Sequence, residues 1–347
     1  MSETNRETKS GPLEALQEAA CVFVGSRGIL RSCDLHAEFP TSDSFDIPSE
    51  IAARMPGHHG SLYLSTPMLP RFVERHLNEL KHPFTLVTGD SDTPLGTEAF
   101  PREMLMRILE HPLLIRWFAQ NLAFEHPKLQ HLPLGLDYHT ISSLGEIDDS
   151  KLPWKIYSNP IKRFFRSSRR WGSRIPPLEQ EAILHRTAKR RTGYAKKHPK
   201  GYCNWRRSLD RGNRLECLQR CHPDAMHIQR KFRPRARTWD LNARYAFTLS
   251  PFGMGYDCHR TWEALALGSV PILHTSPLDP LFEGLPVLIV EDWSEVTPAK
   301  LEAERKRFAE EIFDFSSLYL EYWLALIQNT VRPPRRKMTI DEFTANL

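Results

Sequence analysis

Arg260 and Glu263 stand three residues apart, behind Gly253, Gly255, Asp257 and His259, in the segment SPFGMGYDCHRTWEALALGSVPIL, residues 250–273. The order reads as strand, glycine loop, helix, strand. Gly253 and Gly255 allow a tight turn and a close approach of a ligand to the backbone. Asp257 is suited to cap the helix and Gly268 to end it. Trp262, Leu265 and Ala266 share a face for packing on a sheet, which turns His259, Arg260 and Glu263 towards the loop. The first helical turn carries orphan N–H groups and a partial positive charge, so a capping box would place Glu or Gln at position 260. The chain places Arg260 there. A cation at that end costs a few tenths to about 1 kcal/mol unless an anion shares the site, and phosphate suits a glycine loop at a helix start. The competing expectation is a plain ion pair between Arg260 and Glu263 on a wet face.

Such groups need a scaffold. Short apolar runs recur at 21–25, 61–66, 84–90, 114–121 and 129–137, with helices fitting at 68–80 and 101–109 between them. Strands alternating with helices predict a largely parallel sheet, and ligands then sit beyond the strands' carboxyl ends. The residues at those exits are polar: Ser65 and Thr66, Asp90 and Asp92, Gln120 and Asn121, Asp137 and His139. That pattern suits a cleft wall. A second series follows, with strands at 201–205, 245–250, 269–275 and 285–293 and helices near 212–221, 236–244, 257–267, 298–311 and 315–328. The expected fold is α/β, with two Rossmann-like domains whose parallel sheets face a central cleft. The boundaries read as a lead-in at 1–20, an N-terminal domain at 21–145, a basic linker at 146–199, a C-terminal domain at 200–312, and a tail at 313–347 that packs back across the domains.

The segment FTLSPFGMGYDCHRTWEALALGSVPIL, with LPVLIVEDW after it and RWFAQN and LPLGLDYHT in the first half, resembles the exostosin-like (GT47-type) glycosyltransferases of GT-B architecture. The likeness is close over 200–295, looser over 60–330, and fades over 145–195. It implies a nucleotide-sugar donor held mainly by the C-terminal domain and a glycan or other hydroxyl acceptor against the N-terminal one. Carried over, Arg260 meets the donor diphosphate and Glu263 the ribose hydroxyls, with Gly253, Gly255, Asp257 and His259 lining the donor. A guanidinium fork matches phosphate oxygens, and a carboxylate accepts two hydroxyls. The reaction is a glycosyl transfer of the EC 2.4 type, and the resemblance leans to inversion. No cofactor is expected, since GT-B enzymes of this kind often work without a metal; Asp90-Ser91-Asp92 has a metal-binding form but reads as a cleft-wall loop. The acceptor hydroxyl must lose a proton, so a base should project from the N-terminal side: Asp137 or His139 first, then Asp90 or Asp92.

Charge offers a rival reading. Residues 160–237 hold 23 Lys or Arg against 5 Asp or Glu, in a chain whose net charge is +5. With Phe164, Phe165, Trp171 and Trp205 interleaved, the stretch could hold a nucleic acid or another polyanion. It lacks any RRM, KH or zinc-finger signature, so nucleic acid is the weaker reading; a sugar-binding relative without turnover is a third. Cys217, Cys221 and His222 could ligate zinc, but free cysteines in a helix are usually small core residues. No run approaches the roughly 20 apolar residues of a membrane span, and the start has no apolar signal core. The expected setting is cytoplasmic, with a peripheral place at a membrane open to so basic a chain.

Overall fold

The first sheet contains four of the apolar runs that the sequence marks, those at 61–66, 84–90, 114–121 and 129–137. A computed structural model describes residues 17–37, 57, 59–139, 175–191, 193–205, 209–231 and 233–347. After α1 (Ser26–Ser32) come β1 (Gly60–Ser65), α2 (Leu69–Arg75), β2 (Phe84–Gly89), α3 (Arg102–Leu109), β3 (Leu114–Ala119) and β4 (Leu129–His131). The four strands pair in that order and all run parallel. Every residue of β1 and β2 is buried, as expected where helices cover both faces of a parallel sheet.

The second sheet begins after α4 (Pro177–Arg190). It contains β5 (His198–Cys203), α5 (Arg214–Arg220), β6 (Met226–Ile228), α6 (Arg235–Asn242), β7 (Tyr245–Leu249), α7 (His259–Ala266), β8 (Val270–His274) and β9 (Leu288–Val290). Its order is β6-β5-β7-β8-β9, again all parallel. Chain direction across this sheet reverses between β5 and β7, so the loops after these two strands part from each other. Such a switch point is where an α/β sheet opens a crevice for a ligand. The chain ends with α8 (Pro298–Glu310), β10 (Phe313–Asp314), α9 (Leu320–Ile327), β11 (Lys337–Met338) and α10 (Ile340–Asn346), with β10 and β11 forming an antiparallel pair.

Four expectations change. Residues 21–25 are buried apart from Val22 but make only isolated bridges, Phe23 with Tyr319 and Gly25 with Gly135. Their backbone is taken up by the C-terminal segment, through Val24 N to Leu318 O and Leu320 N to Val22 O, both 2.9 Å. Residues 177–190, expected as linker, form α4, whose buried Glu181 accepts hydrogen bonds from Val22 N, Phe23 N and Tyr138 Oη. Helix α7 starts later than the sequence suggests, with Cys258 as its N-cap in place of Asp257. Cys217 and Cys221 are buried with sulfurs 3.8 Å apart, while His222 accepts the Asp224 N–H, so this trio is core and turn and does not form a zinc site. Residues 140–174 of the basic stretch, including Phe164, Phe165 and Trp171, lie outside the described residues. Among the described residues no helix is long and apolar enough to cross a membrane.

Candidate active site

The loop between β7 and α7 lies against the first domain. A Cβ on Gly255 would stand 2.7 Å from Asn121 Nδ2 and 2.8 Å from Asp92 O, and one on Gly253 would stand 3.0 Å from Arg214 Nη2. Neither glycine has a positive φ. Glycine is needed here for close approach of other parts of the chain, which the sequence alone could not show. The Asp257 carboxylate is buried and faces protein. Oδ2 accepts Leu134 N from the opposite domain at 2.7 Å, Oδ1 accepts Cys258 N at 2.7 Å, and Trp262 Nε1 donates to both oxygens. Its N–H donates to Asn121 Oδ1 at 2.9 Å. Burial pushes its pKa up to about 6. Asp257 therefore latches the two domains together.

Arg260 lies beside the loop. Its Nη2 donates to Pro251 O at 2.7 Å, its guanidinium carbon is 5.8 Å from the centre of the Trp205 ring, and its Nε is buried with no acceptor. Arg214, the first residue of α5, lies over Gly253. Burial and then the charge of Arg260 lower its pKa, so two guanidiniums repel each other at the glycine loop. Like charges gathered at a switch point mark a place for an anion. Trp205 is buried beside the Arg260 guanidinium, with its Nε1 donating to Leu249 O at 2.9 Å.

Glu263 does not pair with Arg260. Its Oε1 accepts from both Nε and Nη2 of Arg235, the first residue of α6. Arg235 reaches across the cleft as well, with Nη1 on Asp137 O at 2.6 Å and Nη2 3.1 Å from Asp137 Oδ2. The paired acids raise its pKa against the opposing effect of burial, which is the largest single influence.

On the first-domain side, Asp137 Oδ1 lies 3.3 Å from His139 Nδ1. Burial pushes His139 down to about 3, against the pull of Asp137, so its imidazole is neutral at physiological pH. His259 comes from the other domain; its Nδ1 bonds Gly135 O at 2.7 Å, and its ring centre is 5.7 Å from that of His139. Asp137, His139 and His259 offer ligand atoms within 4.8 Å of one another and form the one grouping among the described residues that could hold a metal ion. A cation there would meet Arg235, which already balances Asp137. The arrangement fits proton transfer better than metal binding. Asp90 sits at the end of β2 with φ 56°, its Oδ2 buried without a hydrogen-bond partner and its pKa raised mainly by burial.

The structure thus brings Asp137, His139 and His259 together and ties them to Glu263 through Arg235, places Arg260 with Arg214 at Gly253 and Gly255 against Asn121 and Asp92, leaves Asp90 at the end of β2, and turns the Asp257 carboxylate inward. Sequence reasoning missed Arg27, Arg214 and Arg235. A signal existed: like Arg260, each stands in the first turn of a helix, where a cation is out of place. Elsewhere, Arg190, Arg191, Arg237 and Arg244 converge on buried Asp240, which ties these arginines into the fold.

No protein-family model matches the chain. It is 31% identical over 123 residues to ribitol-5-phosphate xylosyltransferase 1 of Danio rerio, a match spanning 30% of this chain and 28% of that relative. Two solved structures overlap it at low similarity: the OtsA apo structure, at TM-score 0.32 and 11% identity over 82% of this chain and 71% of that one, and an α,α-trehalose-phosphate synthase from Burkholderia xenovorans in complex with glucose-6-phosphate, at 0.27 and 10% over 71% and 68%. The fold is α/β with two parallel sheets, and the sequence match to a xylosyltransferase spans less than a third of either protein.

Proposed function

We propose that the protein is an inverting glycosyltransferase that moves a sugar from a nucleotide-diphosphate sugar to a hydroxyl of a glycan or related acceptor. The observation that carries this reading is the pairing of Arg214 and Arg260 at the Gly253 loop, with Arg235 tying Glu263 of the same domain to Asp137 of the other. In the proposed reaction the acceptor oxygen attacks the anomeric carbon from the face opposite the diphosphate. A carbon–oxygen bond forms there while the bond to the diphosphate breaks. The electron pair leaves with the diphosphate, and the hydroxyl proton passes to the Asp137–His139 pair, whose facing atoms lie 3.3 Å apart. Arg214 and Arg260 take up the charge that grows on the leaving diphosphate, an effect strongest in the transition state. They supply the positive charge that a metal ion would otherwise provide. Glu263, held by Arg235, presents its second oxygen to the ribose. The partial match to a xylosyltransferase supports the transferase class.

Arg260→Ala is the test. Nucleoside diphosphate affinity and kcat should both fall, by about tenfold or more, because the lost contact is charge-assisted and strengthens as the diphosphate departs. Unchanged uridine and guanosine diphosphate binding would remove the main physical support. Steeply salt-dependent polynucleotide binding, with no nucleotide affinity, would favour the polyanion-binding reading instead.

A further inference from the structure

Part of the basic stretch gathers at one point away from the cleft. Four guanidiniums meet one carboxylate there. Arg190 Nη2 and Arg191 Nη2 donate to Asp240 Oδ1 at 2.7 and 2.9 Å, and Arg237 Nη1 and Arg244 Nη2 donate to Oδ2 at 3.1 and 3.0 Å. The Asp240 side chain is only 7% exposed, while those of the four arginines keep 32% to 63% of their surface open. No other described acid pairs with any of the four. Asp341, which reaches the turn after Arg191, is engaged elsewhere, its Oδ1 accepting Gly193 N and Tyr194 N. The Nε atoms of Arg191 and Arg244 are buried with no acceptor among the described residues. Helix ends reduce the imbalance without closing it. Helix α4 ends at Arg190 and α6 at Asn242, and each C-terminus contributes roughly half a negative charge. Against four guanidiniums and one carboxylate, that leaves roughly two positive charges unmatched. The cluster also points away from the donor loop. Arg235 and Asp240 both belong to α6, and at 3.6 residues per turn their side chains leave the helix roughly 140° apart; Arg235 is the one that reaches Glu263 and Asp137.

We infer that Arg190, Arg191, Arg237 and Arg244 form a second anion site, separate from the cleft, that takes one phosphate group over the Asp240 carboxylate. The chemistry follows from the donors and their arrangement. A guanidinium has five N–H groups, and each of these four gives one to Asp240, so most remain for a ligand. Arg190 and Arg191 share one carboxylate oxygen, and Arg237 and Arg244 share the other, so the heads of each pair are close enough for one tetrahedral oxyanion to bridge. Guanidinium forks match phosphate oxygens in pairs. A doubly charged anion also balances the excess that Asp240 and the two helix ends leave. The charge is collected on one carboxylate and does not run in a stripe, which suits a single phosphate group and not the repeating backbone of a nucleic acid. The bound anion ties the end of α4 to α6 and to the residue before β7, and so braces the helix whose first residue, Arg235, holds Glu263 and Asp137. The site stands whether or not the protein transfers a sugar.

The experiment is a calorimetric titration of the full chain with inorganic phosphate, on wild type, the double variant Arg190→Gln with Arg237→Gln, Asp240→Asn and Arg260→Ala. Uridine and guanosine diphosphate are titrated separately. Phosphate binding at this site should survive Arg260→Ala and fall about tenfold or more in the double variant, which loses two charge-assisted contacts. Nucleoside diphosphate affinity should show the opposite pattern. Asp240→Asn removes the one balancing carboxylate, so it should bind phosphate more tightly than wild type, and added phosphate should raise its Tm by more. Phosphatidic acid vesicles that sediment wild type but not the double variant would identify a lipid headgroup as the source of the phosphate; phosphate binding without vesicle binding would identify a free phosphate compound. If the double variant keeps the wild-type Tm and binds phosphate as wild type does, the cluster is a structural ion-pair network only and the inference is wrong. Equal loss of nucleoside diphosphate binding in the double variant would merge the cluster with the donor position and overturn it too. Should the double variant not fold, Arg190→Gln alone, the most exposed of the four at 63%, should weaken phosphate in the same direction, and unchanged affinity there is equally decisive against the site.

Discussion

Arg235 grips Glu263 from one domain and Asp137 from the other, so one guanidinium fixes both Glu263 and the carboxylate beside His139. The pairing is largely buried, with about one-seventh of the Arg235 side chain exposed (14%). Removing one partner of such a set leaves an uncompensated charge. Arg235→Ala should therefore cost about 3–5 kcal/mol of stability, read as a lower urea midpoint at unchanged m-value. Arg235→Lys should recover only part of it, because a point charge cannot span two acids. Full recovery by lysine would show that geometry at this position is unimportant.

Glu263→Gln keeps the shape of the side chain and one acceptor oxygen. It should raise the donor KM by a factor worth about 1–3 kcal/mol while kcat changes little. Wild type should discriminate against a deoxyribose donor, and the variant much less so. Equal discrimination in steady-state assays would place the ribose elsewhere.

His139→Asn should lower kcat by about 10²–10⁴-fold with donor KM nearly unchanged, since it removes the proton acceptor and leaves the donor pocket alone. Asp137→Asn should show a smaller loss in kcat, because the imidazole remains but its tautomer is less well held. A larger loss from Asp137→Asn would make the aspartate the base.

Lys197 is buried at the far end of α7, with Nζ on Leu267 O at 3.2 Å and Gly268 O at 2.5 Å, and burial pushes its pKa from 10.5 to about 7. The unfolded chain keeps this proton up to the ordinary lysine range, so between pH 7 and 10.5 it binds more protons than the native state. Stability attributable to this group must rise with pH across that window and stay flat below it. Denaturant melts of wild type and Lys197→Met at pH 7, 8, 9 and 10 test this. Parallel pH profiles for the two proteins would contradict the assignment.

Charge reversal at Arg169, Arg170 and Arg174 together should weaken use of the acceptor and leave nucleotide affinity almost unchanged. Equal loss of nucleotide binding would put these arginines on the donor side.

Local pattern was enough to mark β1, β2, β3, β7, β8 and α7, because continuous apolar runs bounded by Gly, Pro and Asp report burial on both faces of a parallel sheet. The same local rule, an arginine where a helix start wants an acid, singled out Arg260 before any geometry was known, and applied evenly it also marks Arg27, Arg214 and Arg235. What sequence could not supply was partnership. That Glu263 belongs to Arg235, that Asp257 latches onto Leu134, and that Gly255 is glycine because Asn121 and Asp92 crowd it, depend on residues 28 to 163 positions away. Residues 21–25 read as a strand by composition, yet their ladder partners come from Tyr319 and Gly135, so they remain isolated bridges. Periodicity reports which side chains are buried, because burial is a property of each residue's own surface. Hydrogen bonds and ion pairs are properties of two residues at once, and only the folded chain decides which two meet.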